Sequence, residues 1–338
     1  MRILVTGGAG YIGSHMTRLL VEAGHAPVVL DDLSSGHRDA VMGPEFVEGD
    51  AGDAALLERV FAAGRFAAVM HFASCIDVGE SVADPARYYR NNVANTVSLL
   101  DAMNRHRVRR LVFSSTAAVF AESDARLTED RPVAPATPYG RSKLMVEQML
   151  ADYDRAYGLR HSCLRYFNAA GAEPDGALGE RHEPETHLIP LALQVAAGRR
   201  AALEVFGTDY ATPDGTCIRD YVHVVDLCRA HLLALRRLTD GGESRAYNLG
   251  NGDGYSVRQV IDAVRKVTGR PVPVSDAPRR VGDAARLVAD ATRAARELDW
   301  RTELADLETM IRHAWNWETR ANSAPAGTPS AAPSKRPR

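Results

Sequence analysis

The chain has 338 residues, 45% hydrophobic and 25% charged, with a formal net charge of −2. These values fit a globular protein of about two domains, with no basic excess to mark nucleic acid or an anionic membrane as its main partner. No apolar run approaches the roughly 18 residues of a membrane span.

Residues 1–13 read MRILVTGGAGYIG. Ile3, Leu4 and Val5 form a hydrophobic run, glycines follow at 7, 10 and 13, and apolar Ile12, Met16, Leu19 and Leu20 resume at helical spacing. The pattern predicts a buried strand, a tight glycine turn and a helix N-terminus. Backbone N–H groups in such a turn approach a pyrophosphate, and the helix dipole favours its charge. The spacing G-x-x-G-x-x-G differs from G-x-G-x-x-G, so a glycine turn with no ligand stays open at this point. A strand that begins almost at the first residue leaves no room for a signal peptide, and a cytoplasmic protein is expected. Cys75, Cys163, Cys217 and Cys228 include no C-x-x-C pair. Reduced thiols are therefore expected, and neither a disulfide framework nor a zinc site.

Residues 26–30 (APVVL) predict a second buried strand ending at Asp31 and Asp32. Asp31 lies 18 residues after Gly13. An acid at about that distance accepts hydrogen bonds from adenosine ribose hydroxyls and repels a 2′-phosphate, which favours NAD over NADP. A solvated loop acid is the other reading. Residues 46–50 predict a third strand ending at Asp50. That acid either reaches the adenine edge or caps a helix over 54–61. Residues 67–72 predict strand four, followed by small Ala73 and Ser74. A helix is expected over 88–103, and strand five over 111–113 ends in Ser114, Ser115 and Thr116. Alternating strands and helices with short turns predict an α/β fold with a doubly wound parallel sheet, ligands lying at the strand C-terminal ends.

Thr137 and Pro138 suit the N-cap and first position of the next helix. Tyr139 and Lys143 are four apart and share one helix face. Residues 161–166 predict strand six. From Gly171 the texture changes: residues 172–187 read as an irregular excursion rich in Gly, Pro, Glu and His. Helices are expected over 188–197, 225–238, 257–268, 292–298 and 307–319, with strands over 203–206 and 246–250. The domain reading is a dinucleotide-binding unit over 1–170 that also receives segments near 218–250. A smaller interleaved unit covers 171–320, and an Ala/Pro/Ser/Thr tail over 321–338 is expected to be disordered.

Thr116, Tyr139 and Lys143 carry the chemistry expected here. A free phenol titrates near 10. A cation roughly 6 Å away at an effective dielectric near 20 stabilises the phenolate by about 2.8 kcal/mol. That lowers the phenol by about two pKa units. A nicotinamide cation acts in the same direction and burial opposes it. The phenol is then expected near working pH, where general acid–base catalysis is most effective. The Thr116 hydroxyl both donates and accepts, which shortens the proton path.

With these residues in place, the sequence resembles the extended short-chain dehydrogenase/reductase (NAD-dependent epimerase/dehydratase) family. Within it, the likeness is to enzymes that epimerise UDP-hexoses at C4. It covers about residues 1–320. The residues that carry it are VTGGAGYIGSH (5–15), HFAS with VGES (71–74 and 78–81), YYRNNV (88–93), FSST (113–116) and PYGRSKLMVEQ (138–148). Further along come LRYFNAAGA (164–172), HLIP (187–190), DGTCIRDYVHVVDL (214–227), YNLGNG (247–252) and APRRVGD (277–283).

The resemblance implies bound NAD. Gly7, Gly10, Tyr11, Ile12 and Gly13 would hold the pyrophosphate, Asp31 the ribose, and Asp50 with Ala51 the adenine side. Phe72, Ala73, Ser74 and Asn92 would line the dinucleotide, and Tyr166 would lie against the nicotinamide. Tyr139 is implied as the base with Thr116 as its partner, and Lys143 as the residue that holds the nicotinamide ribose and tunes the phenol. Asn168, His187 and Leu188 would face the nucleotide sugar, Val205 and Phe206 the uracil, and Arg219, Arg280 and Asp283 the diphosphate and uridine ribose. No metal is implied. The implied reaction is reversible epimerisation of UDP-glucose and UDP-galactose through a transient 4-keto sugar, with the UDP-sugar as partner. A homodimer through helices over 88–103 and 143–157 is also implied.

The sequence departs from the family pattern at a few places. Thr116 stands where some relatives have Ser. Phe120 and Ala121 stand where V-Y-G is common, and Ile76 replaces a lysine. Leu287 replaces a tyrosine, or a smaller residue, at the sugar-pocket rim. This leaves 4-epimerisation of another UDP-sugar (N-acetylhexosamine, glucuronate or pentose) as the alternative. A 4,6-dehydratase would need Asp-Glu after the threonine, where Ala117 and Ala118 stand here. A non-catalytic NAD sensor would not need the Tyr139/Lys143 pair.

Overall fold

The computed structural model describes residues 1–121, 123, 125–280 and 283–321. The tail expected over 321–338 lies, beyond Ala321, outside the described residues. The chain runs β1 (Arg2–Thr6), α1 (Tyr11–Glu22), β2 (Ala26–Asp31), β3 (Glu45–Glu48), α2 (Ala54–Gly64), β4 (Ala68–His71), α3 (Val78–Ala83), α4 (Pro85–Tyr88) and α5 (Asn95–Arg105). Next come β5 (Arg110–Thr116), α6 (Pro138–Tyr157), β6 (Arg160–Tyr166), β7 (Asn168–Ala170), α7 (Leu188–Ala196), β8 (Leu203–Phe206), β9 (Ile218–Arg219) and β10 (Tyr221–His223). The remainder is α8 (Val224–Thr239), β11 (Arg245–Leu249), β12 (Tyr255–Ser256), α9 (Val257–Thr268), β13 (Val274–Ala277), β14 (Arg286–Leu287), α10 (Thr292–Leu298) and α11 (Leu307–Ala321).

Seven strands form one parallel sheet in the order β11-β6-β5-β4-β1-β2-β3. Its central strands are continuous apolar runs because helices cover both faces. On one face Met16 and Leu20 of α1, Leu227 and Leu235 of α8, and Leu298 of α10 pack on Ile3, Val5 and Val112. On the other, Leu57 and Phe61 of α2, Leu99 and Met103 of α5, and Val146 and Leu150 of α6 pack on Leu4, Val69 and Leu111. Successive strands move outward from β1 to β3, then restart at β4 on the other side of β1. This is the switch point at which doubly wound sheets bind ligands.

A separate core joins Ile189 and Leu193 of α7, Val260 and Val264 of α9, Met310 and Ile311 of α11 and Val205 of β8. Three small sheets surround it: β7 with β10, β8 with β13, and β12-β9-β14. Among the described residues no helix is long and apolar enough to cross a membrane.

The helix expected over 88–103 is interrupted. Residues Tyr89–Ala94 form a π-helical turn between α4 and α5. The wider turn brings both Asn91 Oδ1 and Asn92 Oδ1 to the Cys75 amide, at 3.0 and 2.8 Å. Such turns concentrate at functional sites.

Candidate active site

The glycine turn follows β1. Gly7 has φ +72°, and a Cβ there would lie 2.4 Å from Ala73 N, so the backbone after β4 can pass only over a glycine. A Cβ at Gly13 would sit 2.0 Å from the Gly7 oxygen. Gly10 differs. Its backbone is extended (φ −78°, ψ 178°), and a Cβ there would meet only the Gly7 oxygen, at 3.5 Å. Nothing in the chain requires the missing methyl. Gly10 is also the N-cap of α1, with no side chain capping the orphan N–H groups of the first turn. Bare amides beside an empty Cβ position make a cradle that fits a pyrophosphate.

Asp31 closes the turn from the next strand. Its Oδ2 accepts the Ala9 amide at 2.9 Å and its Oδ1 the Leu33 amide at 2.9 Å. Burial raises its carboxyl above the ordinary value, and these amides oppose the rise. One lone pair on each oxygen is left for ribose hydroxyls. Asp50 does not cap α2. Asp53 does, accepting the Ala55 and Leu56 amides. Asp50 instead accepts the Gly52 amide at 2.8 Å and Asn95 Nδ2 at 2.9 Å, with Ala51 buried beside it. The amides of Phe72 and Ala73 bond the Thr6 carbonyl, and the Ser74 hydroxyl bonds the Cys75 carbonyl. Asn92 Nδ2 donates to Cys75 O and Ser142 Oγ, both at 3.0 Å. The Asn92 amide thus fixes the 72–75 loop against α6.

Tyr139 lies in the first turn of α6, after the Thr137 cap and Pro138. A Cβ at Gly140 would be 2.3 Å from the Ala118 carbonyl oxygen, so this glycine lets α6 close onto the turn that begins at Thr116. Lys143 is buried, donates to the Ser114 carbonyl at 2.8 Å, and holds its Nζ 6.0 Å from the Tyr139 ring centre. Burial acts on both groups. Burial raises the Tyr139 phenol, although a hydrogen bond with the Thr116 hydroxyl pulls it down. Burial also lowers the Lys143 ammonium to about 7, against the pull of Cys75 and Glu147. For both groups desolvation is the largest cause of the shift. In the cofactor-free chain the phenol is therefore held above its ordinary value.

Tyr166 stands opposite Thr116 in the β5–β6 register, and its hydroxyl bonds that of Ser114. Behind it lies a network that sequence reasoning missed. Ser115 Oγ donates to Glu147 Oε1 at 2.5 Å, and Arg165 grips the same carboxylate with Nε at 3.0 Å and Nη2 at 2.5 Å. Phe120, at the departure from V-Y-G, lies under the Arg165 guanidinium at 5.1 Å.

The residues implied for the sugar nucleotide fall into linked pairs. Asn168 donates through its backbone N and Nδ2 to the Asp220 carbonyl at 3.0 and 3.1 Å, next to Arg219. Arg219 Nη2 reaches Asp283 Oδ1 at 3.2 Å, while its Nη1 is held by the carbonyls of Ile218 and Ala284. Arg280 stacks on Phe206 at 3.9 Å, beside buried Val205. Leu287 pairs with Arg219 between β14 and β9 and packs with Phe120. Leu188 begins α7, with His187 as its N-cap residue.

His187 is not a solitary polar group. Its Nδ1 lies 2.8 Å from Glu180 Oε1 and 3.0 Å from Glu185 Oε1. Glu180, His182, Glu185 and His187 present ligand-type atoms all within 4.8 Å of one another. The signal was in the chain: ERHEPETH packs two histidines among three glutamates over residues 180–187. Its Pro and charges read only as an irregular excursion.

The chain is similar to known proteins over nearly its whole length. The UDP-glucose 4-epimerase of Halalkalibacterium halodurans is 51% identical over 318 residues, spanning 94% of this chain and 95% of that protein. The crystal structure of UDP-glucose 4-epimerase from Brucella ovis in complex with NAD aligns with a TM-score of 0.91 at 53% identity, over 93% of this chain and 97% of that one. The UDP-glucose 4-epimerase from Bifidobacterium longum in complex with NAD+ and UDP aligns at 0.90 and 39%, over 95% and 99%. The family model for NAD dependent epimerase/dehydratase proteins matches residues 3–250. With the glycine turn at the switch point and Tyr139 and Lys143 together on α6, the chain belongs to the NAD-dependent epimerase/dehydratase family.

Proposed function

We propose that the chain interconverts UDP-glucose and UDP-galactose by epimerisation at C4 with a retained NAD. The observation that carries this reading is the meeting of Thr116, Tyr139 and Lys143 at the end of β5. The relatives' names supply the substrate. Bound NAD supplies a hydride acceptor and donor that ends each turnover in its starting form. Gly7, Gly10, Tyr11, Ile12 and Gly13 hold its pyrophosphate and Asp31 its adenosine ribose. Asp50 and Ala51 take the adenine side, and Phe72, Ala73, Ser74, Asn92 and Tyr166 line the remainder.

The Tyr139 phenolic oxygen takes the proton from the sugar 4-hydroxyl, and the Thr116 hydroxyl holds that hydroxyl in line. Because burial holds the phenol up, the phenolate forms only when positive charge gathers around it. Lys143, fixed by Ser114 O at 2.8 Å, is placed to share that charge. Asn168, His187 and Leu188 border the sugar, Val205 and Phe206 the uracil, and Arg219, Arg280 and Asp283 the diphosphate and ribose. Arginine suits phosphate because its planar fork binds two oxygens. A dehydratase reading has nothing to lean on, since Ala117 and Ala118 offer no acid or base.

The same proposal includes a homodimer through α5 and α6, supported by the exposed apolar Val97 and Met145 on those helices. It also places the enzyme in the cytoplasm, supported by four free cysteines. The test is conversion of UDP-galactose to UDP-glucose by purified protein without added NAD. Tyr139→Phe should lower turnover by about 10²- to 10⁴-fold while NAD stays bound. Near-full activity in that variant would remove Tyr139 as the base. A wild-type protein that converts neither sugar would sink the whole reading.

A further inference from the structure

We propose that Glu180, His182, Glu185 and His187 bind one divalent metal ion of the zinc type, which fixes the 180–187 stretch ahead of α7. Four donor atoms around one point are what such an ion needs. A tetrahedral shell with ligands about 2.1 Å from the metal has edges of about 3.4 Å. Here His187 Nδ1 lies 2.8 Å from Glu180 Oε1 and 3.0 Å from Glu185 Oε1. His182 Nδ1 lies 3.1 Å from Glu180 Oε1 and 3.9 Å from Glu185 Oε2. The two contacts to Glu180 Oε1 lie a little inside the expected edge and the one to Glu185 Oε2 a little outside it; the four ligand atoms span up to 4.8 Å, so the side chains would draw together around the ion.

The cluster is not a solvated acidic patch. The Glu180 and Glu185 side chains are 8% and 5% exposed, and His182 is 18% exposed. Burying two carboxylates together is costly unless each is paired. Hydrogen bonding alone leaves the set uneven. Both imidazoles turn Nδ1 to the one Glu180 oxygen, His187 Nδ1 is shared with Glu185 Oε1 at 3.0 Å, and Glu185 Oε2 faces His182 beyond hydrogen-bond length. A single dication bonds all four atoms and balances both carboxylates. Two imidazole nitrogens with two carboxylate oxygens suit zinc.

The surroundings hold these side chains in place, as the partners of metal ligands do. Glu185 Oε1 accepts the amides of Thr186 at 2.7 Å and His187 at 2.8 Å. Trp317 Nε1 of α11 donates to the Glu180 carbonyl at 3.1 Å. The Tyr11 ring stands edge-on to His182 at 6.4 Å, and its hydroxyl bonds the Gly171 carbonyl at 2.7 Å. All four ligands lie within residues 180–187, so the ion would fix this one stretch, against which Tyr11 of α1 and Trp317 of α11 pack. With four protein ligands the site has no open position, so its role is structural. His187, whose side chain is 43% exposed, marks the way in.

The test uses the full chain, freed of any affinity tag. Elemental analysis should find about one zinc per chain, and removing it with EDTA should lower the Tm, which added Zn²⁺ alone restores. Glu180→Gln and His182→Gln should each weaken Zn²⁺ binding about tenfold or more. Both should keep the far-UV circular dichroism of the wild type and lose the Tm response. A wild-type chain without bound metal, whose Tm ignores Zn²⁺, would overturn the proposal whether or not the variants fold. Unchanged zinc content in both variants would overturn it too. Metal content is read without sugar turnover, so this proposal and the epimerase reading fail independently.

Discussion

Gly10→Ala separates folding from cofactor binding. The Gly10 backbone, at φ −78° and ψ 178°, suits any residue, and the new methyl would meet only the Gly7 oxygen at 3.5 Å. Exchanging glycine for alanine at an N-cap costs about 0.5–1 kcal/mol. The smaller entropy of the unfolded chain returns about 0.4–1 kcal/mol. Stability of the cofactor-free chain should therefore change by no more than about 0.5 kcal/mol. The dinucleotide meets a different surface. In the proposed cradle the methyl occupies the space through which a pyrophosphate oxygen would reach the first amides of α1. Loss of one hydrogen bond to a charged group costs about 1.5–3 kcal/mol. That raises the NAD Kd about 10- to 150-fold. Thermal unfolding by circular dichroism reads the first quantity and titration calorimetry with NAD the second. Gly7→Ala is the contrasting control, because φ +72° and a 2.4 Å approach to Ala73 N should cost folded protein outright. Wild-type NAD affinity in Gly10→Ala would refute the cradle.

Other expectations follow from burial. Arg165→Met leaves the Glu147 carboxylate buried with Ser115 alone and should cost about 3–5 kcal/mol in urea unfolding. Adding Glu147→Leu should recover much of that, and a single-variant loss below about 1 kcal/mol would show the pair to be dispensable. Burial lowers His15 and His231 to about 4, and His71 and His223 to about 3. The unfolded chain protonates these histidines near 6.5 and the folded chain does not. Their contribution is therefore intact above about pH 6.5 and is lost as pH falls toward 4, at up to about 1.4 kcal/mol per pH unit for each histidine. Urea midpoints that stay level from pH 7 to 5 would contradict this.

Much of the frame was legible in short stretches. The run Ile3-Leu4-Val5 with the glycines after it marks β1 and the turn, because burial on both faces leaves only apolar residues in the strand. Thr137-Pro138 marks the start of α6, so the shared face of Tyr139 and Lys143 follows from spacing. Features that depend on distant approach were not legible. Gly140 is needed because the Ala118 carbonyl passes it, and Asp53 rather than Asp50 caps α2 because the chain turns once more before the helix. The π-helical turn at Tyr89–Ala94 answers to the Cys75 amide, not to local periodicity. Charge balance was the hardest to foresee. Lys143 does lie beside the Tyr139 ring, but the desolvation that raises the phenol and lowers the ammonium depends on the whole surrounding core.

The place of β11 at the edge of the sheet governs how this protein can be made. The strand that completes the sheet beside β6 lies at Arg245–Leu249, and Leu298 and Trp300 cover the same face. A nascent chain emerging from the ribosome cannot close that layer when residue 170 appears. It must wait until nearly the whole polypeptide has been synthesised, with the apolar side of β6 and α1 uncovered meanwhile. For the same reason the two halves cannot be exchanged as cassettes at a single cut. A graft of a foreign substrate lobe would have to bring, or leave behind, one strand and two helices of the sheet it is meant to serve.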